Sequence, residues 1–228
     1  MHIAELFRSL QGEGLLTGTD STFIRVSGCN LRCWFCDTPY ASWDPEGRNL
    51  TLDEIFAQVE AFDCSHVVIT GGEPMVFRDV VPLTAELRRQ GRHITIETAG
   101  TACLPVACDL MSISPKLANS TPRPDRHPEW SARHERTRHA PAVLRQLVSG
   151  YPYQVKFVVD EPADCQAVEA YLEELPEIDR ARVLLMPQGI DLDELTEKAQ
   201  WLEPYCAEHG LRYCPRRQIE WFGLTRGT

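Results

Sequence analysis

Cys29, Cys33 and Cys36 follow one another as Cys-x-x-x-Cys-x-x-Cys within Gly28-Cys29-Asn30-Leu31-Arg32-Cys33-Trp34-Phe35-Cys36-Asp37-Thr38. Thiolates are soft ligands suited to iron–sulfur clusters, which normally take four of them, so a loop offering three leaves one iron open to a small molecule. Zinc is the competing occupant, but a structural zinc site closes with four ligands, and no His or Cys follows Cys36 at finger spacing. Further along, Thr70-Gly71-Gly72-Glu73-Pro74 directly follows the apolar run His66-Val67-Val68-Ile69. Glycines at a strand end let a ligand approach the backbone, and a neighbouring carboxylate can hold an ammonium group. Taken by itself, such a stretch is an ordinary turn closing a strand.

The elements that must position these groups are legible as an alternation. Short apolar, β-branched runs at 22–26, 66–70, 94–98, 110–114, 154–159 and 182–186 are separated by stretches with helical periodicity at 80–90, 163–175 and 191–209. A further helix opens at Thr51-Leu52-Asp53-Glu54, a capping-box pattern followed by apolar Ile55, Val59 and Phe62. Strands alternating with helices predict a parallel sheet with crossover helices. Six strands are fewer than a closed barrel needs, so the expected fold is α/β, a partial TIM-like barrel of about six parallel strands, with its site in the loops at the strands' carboxyl ends. Residues 117–141, rich in Pro, Arg and His, break the alternation. A solvated basic surface loop with a short helix is expected there, and the alternative is a lid or a docking face for an acidic reductase.

At 228 residues the chain suits one domain, 1–228, around one sizeable core. A net charge of −10 offers no broad cationic surface for a phosphate backbone, so no direct nucleic-acid partner is expected and the substrate should be small. The start, Met1 to Phe7, is already mixed in polarity and no stretch approaches a membrane span, which predicts a cytoplasmic protein with no membrane partner. The cysteines number nine, an odd count without a secretory signal, and those outside the loop are expected to be buried or incidental thiols rather than disulfides.

The cysteine spacing, the aromatic Phe35 before the last cysteine and the downstream Gly71-Gly72-Glu73-Pro74 together resemble the radical S-adenosylmethionine (SAM) superfamily. Within it, Glu5-Leu6-Phe7-Arg8-Ser9-Leu10-Gln11-Gly12-Glu13-Gly14, Cys36-Asp37-Thr38, Glu97-Thr98-Ala99-Gly100, Ser112-Ile113-Ser114-Pro115-Lys116 and the Trp221–Thr228 tail resemble the 7-carboxy-7-deazaguanine synthase family, covering most of the chain. The resemblance implies a carbon–nitrogen lyase of queuosine-type deazapurine biosynthesis. It would convert 6-carboxy-5,6,7,8-tetrahydropterin to 7-carboxy-7-deazaguanine and ammonia, through a 5′-deoxyadenosyl radical formed from SAM that takes hydrogen from C6.

What the resemblance implies for residues is specific. Cys29, Cys33 and Cys36 hold a 4Fe-4S cluster, and Thr38 binds Mg2+ together with the substrate carboxylate. Gly72, Glu73, Thr98, Ser112, Ser114, Pro115, Lys116, Met186, Pro187, Gln188 and Gly189 bind SAM. Leu10, Gln11, Gly12, Glu13, Arg25, Thr70 and Thr228 meet the pterin, with Arg25 on its carboxylate, where a guanidinium can make two parallel hydrogen bonds. It also implies a homodimer and a flavodoxin-like or ferredoxin-like reductant. The tail departs from the family pattern, with Arg217-Gln218-Ile219-Glu220 where many relatives have a histidine and Gly223-Leu224-Thr225-Arg226-Gly227 where an asparagine is usual. The competing functions are a radical activase acting on a partner protein, which has no use for Gln11 to Gly14 with Arg25, and an electron carrier, which would show four cluster ligands.

Overall fold

The computed structural model describes the chain from Met1 to Thr228. Strands β1 (His2–Leu10) and β2 (Asp20–Val26) pair antiparallel, and after the cysteine loop come the short helix α1 (Pro39–Ser42) and a two-residue strand β3 (Arg48–Asn49) on the outer edge of β1. The chain then alternates through α2 (Leu52–Phe62), β4 (His66–Gly71), α3 (Val80–Arg89), β5 (His93–Thr98) and β6 (Leu110–Ile113). Two consecutive helices, α4 (Pro128–Arg138) and α5 (Pro141–Gly150), precede β7 (Tyr153–Val159). The remainder is α6 (Pro162–Glu174), β8 (Val183–Pro187), α7 (Leu192–Glu208), β9 (Arg212–Tyr213) and α8 (Arg217–Phe222).

These strands form one open sheet in the order β3-β1-β2-β4-β5-β6-β7-β8-β9, parallel from β2 to β9. All six expected strands are present, and so is the Thr51–Glu54 capping box, in which the Thr51 hydroxyl accepts from the Glu54 amide at 3.2 Å and the Glu54 carboxylate accepts from the Thr51 amide at 2.8 Å. The sheet is wider than expected by β1 and β3, both antiparallel, and by the short parallel β9. At 117–141 an exposed loop leads into α4, a helix of three turns that is largely solvated but buries Ser131 and His134. Its sequence carries no apolar stripe, so helical periodicity could not reveal it.

Side-chain alternation along the strands sorts the protein into two faces. Ile24, Val26, Val67, Ile69, Ile94, Ile96, Met111, Ile113, Val155, Phe157, Val183 and Leu185 lie in the main core with the helices. The residues between them, among them Arg25, Thr70, Glu97, Ser112, Lys156 and Met186, line a cavity on the other face.

The ends of β2 and β4 are locked by backbone contacts. Gly72 donates to Val26 O at 3.0 Å, and Glu73 donates to Gly28 O at 2.9 Å. A Cβ on Gly72 would stand 2.0 Å from Gly28 O, and one on Gly71, whose φ is +127°, would stand 2.1 Å from Val26 O. The glycines of the Gly-Gly-Glu-Pro stretch are therefore required by the approach of the cysteine loop's own backbone. Gly72→Ala should lower unfolding stability by roughly 2–3 kcal/mol in urea titration, as overpacking against an immobile backbone does. Gly150→Ala, with nothing within 4 Å of the added atom, should be near neutral. Equal midpoints for the two variants would mean that the strand ends part freely.

Candidate active site

One cavity of about 410 Å³ is lined by residues from the cysteine loop, the carboxyl ends of β4, β5 and β6, the inner faces of β7 and β8, the segment after β1 and the tail. Cys29, Cys33 and Cys36 all line it. Three thiols sharing one cavity wall offer three soft donors to an iron–sulfur group.

Burial pushes Cys29 up to about 12, with the Glu73 charge adding to the effect, and Cys33 up to about 11, with Lys116 pulling the other way. As free groups these thiols are protonated, and only bound cationic iron would make ligand thiolates of them. The donor chemistry and the shared cavity thus fit a 4Fe-4S cluster.

Of the residues assigned to SAM, Gly72, Thr98, Ser112, Ser114, Lys116, Met186 and Gln188 line the cavity. Lys116 Nζ donates to both Ser114 O and Ser114 Oγ at 2.7 Å, which fixes a cation beside the β6 end. Glu73, Pro115, Pro187 and Gly189 are not part of the lining. Glu73 is fully buried, and its carboxylate accepts from Met75 N at 3.0 Å, Thr98 Oγ1 at 2.7 Å and Ala99 N at 2.6 Å. Burial raises its pKa against the lowering effect of those three donors. The Glu73 carboxylate ties the β4 turn to the end of β5 from within the protein.

The residues assigned to the pterin, Leu10, Gln11, Gly12, Glu13, Arg25, Thr70 and Thr228, all line the same cavity, as does Thr38. Arg25 Nε donates to Glu5 Oε2 at 2.9 Å, and Glu5 also accepts from Tyr40 Oη at 2.8 Å and Arg226 Nε at 3.1 Å. Only one edge of the Arg25 guanidinium is held in this way. Gln11 Nε2 and Thr70 Oγ1 donate to the two Glu97 oxygens at 3.0 and 2.7 Å. Glu13 is paired with Lys156 and accepts from Gln218 Nε2, while Arg216 stands 3.6 Å from it and also pairs with Asp37. Burial alone would raise Glu13, but Lys156 and Arg216 prevail and bring it down to about 2.

Glu97, Lys156, Arg216 and Asp37 carry much of this geometry without having been assigned roles from sequence. A signal for Glu97 and Lys156 was available in strand alternation, since each is a charged residue in a buried strand, Lys156 between Val155 and Phe157 and Glu97 between Ile96 and Thr98. Arg216 and Asp37 sit in irregular segments, where no periodicity marks a facing direction. The tail's departure at Gln218 is accommodated directly, because its side chain reaches Glu13 and its backbone packs so closely on Gly12 that a Cβ there would lie 2.7 Å from Gln218 N.

The chain is similar to known proteins along its length. The family model described as the radical SAM superfamily matches residues 23–116. The 7-carboxy-7-deazaguanine synthase of Rhodopirellula baltica is 49% identical over 99% of this chain and 88% of its own. The synthase of the same name from Halobacterium salinarum is 44% identical over 95% of this chain and 88% of its own. The crystal structure of QueE from Escherichia coli superposes with a TM-score of 0.69, covering 95% of this chain and 93% of that one at 24% identity, and supports the fold. The superfamily's cofactors are a 4Fe-4S cluster and SAM, for which the thiols and strand ends described above are suited. With this identity sustained from one end of the chain to the other, the protein belongs to the 7-carboxy-7-deazaguanine synthase family of radical SAM enzymes.

Proposed function

We propose that the chain contracts the ring of 6-carboxy-5,6,7,8-tetrahydropterin to 7-carboxy-7-deazaguanine with loss of ammonia, acting as a carbon–nitrogen lyase of deazapurine biosynthesis. The observation that carries this reading is the single cavity in which the three cysteines, the polar strand ends and the Gln11, Glu13 and Arg25 group meet. The cluster and SAM, when bound, supply the radical chemistry. The chain's own residues bind, orient and exclude water. Arg25, braced by Glu5, presents its free edge to the substrate carboxylate. Glu13, kept ionised by its two cations, is an acceptor for pterin N–H groups. Glu97 is held by Gln11 and Thr70 and presents a second acceptor surface from the sheet.

Thr38 is proposed to contribute its hydroxyl to a magnesium ion that also takes the substrate carboxylate, a hard cation in an oxygen environment. Thr228 is proposed to close the substrate side, and a flavodoxin-like or ferredoxin-like protein to supply electrons to a homodimeric enzyme. No helix is long and apolar enough to cross a membrane, and a cytoplasmic location remains part of the proposal.

The central test is an anaerobic assay of reconstituted protein with the tetrahydropterin, SAM, reductant and magnesium, in which the deazapurine should appear by mass. SAM cleavage without that product would reject the substrate. Arg25→Ala should weaken the tetrahydropterin roughly 10- to 100-fold, the value of a charged hydrogen bond, and SAM little, by binding titration of each; equal weakening would make Arg25 a structural residue. Thr38→Ala should weaken the response of turnover to magnesium while leaving the cluster spectrum intact, and superimposable magnesium titrations of variant and wild type would remove Thr38 from the metal site. Glu13 yields a pH prediction. Its folded pKa of about 2 lies below an ordinary 4.5, so its stabilisation is complete above about pH 4.5 and is lost as pH falls toward 2. The melting-temperature gap between wild type and Glu13→Gln should therefore be widest near pH 7 and narrow steadily below pH 4.5. A gap independent of pH would mean that Glu13 carries no ion pair.

A further inference from the structure

The Pro- and Arg-rich segment that interrupts the alternation of strands and helices grips the cysteine loop on both sides of Cys33, through α4 on the Arg32 side and through the turn at Ala118–Ser120 on the Trp34 side. His134 is completely buried, and its Nδ1 lies 3.2 Å from the Arg32 amide that donates to it. Its Nε2 lies 2.9 Å from Ser120 Oγ. Burial brings the His134 pKa down to about 4, so the ring is neutral at physiological pH. A neutral imidazole that accepts at Nδ1 carries its hydrogen on Nε2 and donates it to Ser120. Ser120 Oγ in turn donates to Leu117 O at 2.7 Å, and Ser120 O accepts from Trp34 N at 3.1 Å.

The same segment holds the flanking side chains. The Arg32 guanidinium lies 4.0 Å from the Trp130 ring centroid and donates to Cys29 O at 2.7 Å, while Trp34 Nε1 donates to Asn119 O at 2.6 Å. Arg32 and Trp34 are the immediate neighbours of Cys33.

We propose that His134 and Ser120 are positioning residues of the cluster, fixing the backbone on either side of Cys33. Residues outside the ligand set orient ligands and tune metals in this way. The loop's shape comes from α4 as well as from the strand that precedes it. The inference rests on the assignment of Cys29, Cys33 and Cys36 as cluster ligands.

The test is the midpoint potential and electron paramagnetic resonance spectrum of the reconstituted cluster in the full-length protein without SAM. Ser120→Ala and His134→Leu should each shift the midpoint by about 59 mV or more, a tenfold change in a one-electron equilibrium, and alter the spectrum. His134→Asn, whose side-chain oxygen can accept from the Arg32 amide, should restore most of both. His139→Ala, at the exposed end of the segment, should match wild type. Wild-type potential and spectrum in Ser120→Ala at full iron content would overturn the inference, and that small substitution decides the matter even where His134→Leu fails to fold. A wild-type protein that takes up no cluster would instead refute the ligand assignment beneath it.

Discussion

A carboxylate withdrawn from solvent joins three strand ends. Glu73 receives Met75 N from its own turn and Thr98 Oγ1 and Ala99 N from the end of β5, while its backbone amide bonds to Gly28 O beyond β2. An ionisable group with no exposure is costly unless its oxygens are satisfied, and here three donors meet that requirement. Every element of the cluster side depends on the arrangement. The cysteine loop leaves from Gly28, the β4 turn passes over it, and Thr98 faces the cavity from β5. If those three ends moved apart, the thiols and the polar strand ends would no longer share one cavity.

The substrate side is organised by charge. Lys156, Glu13, Arg216 and Asp37 form a chain of alternating sign running from β7, through the segment after β1, to the tail and on to the cysteine loop. Glu5 does the same for Arg25, Tyr40 and Arg226. Phe7 and Phe23 stack beside them with centroids 5.1 Å apart, adding a flat apolar surface next to Arg25. A planar, polar heterocycle bearing a carboxylate meets complementary groups on such a surface: fixed donors and acceptors at its edge and an aromatic wall at its face.

Much of this was legible in the residues. Apolar strand runs, the capping box at Thr51 and the two motifs led to a parallel sheet with its site at the strand ends, and the cavity gathers the three cysteines with all seven residues assigned to the pterin. What sequence could not supply was direction. Glu73 beside two glycines suggests a carboxylate near a ligand, and nothing local shows that it also ties the β4 turn to the end of β5. His134 sits in a helix whose composition is that of a solvated segment, yet it is buried because the cysteine loop, about a hundred positions earlier, comes down on it. Contacts of that separation leave no local periodicity. Strand β1 was hidden differently, since its alternation of polar and apolar residues resembles any mixed segment until β2 is known to pair with it.

The polar wall of the cavity has one more property. Glu13 meets Gln218 across 205 positions of chain and Glu5 meets Arg226 across 221, whereas the sheet grows through neighbours joined by single crossovers. Closing loops of that span costs conformational entropy before any contact repays it, so such pairings form late relative to local ones. The parallel layers can assemble strand by strand and offer the cysteine loop a scaffold while the opposite wall is still open.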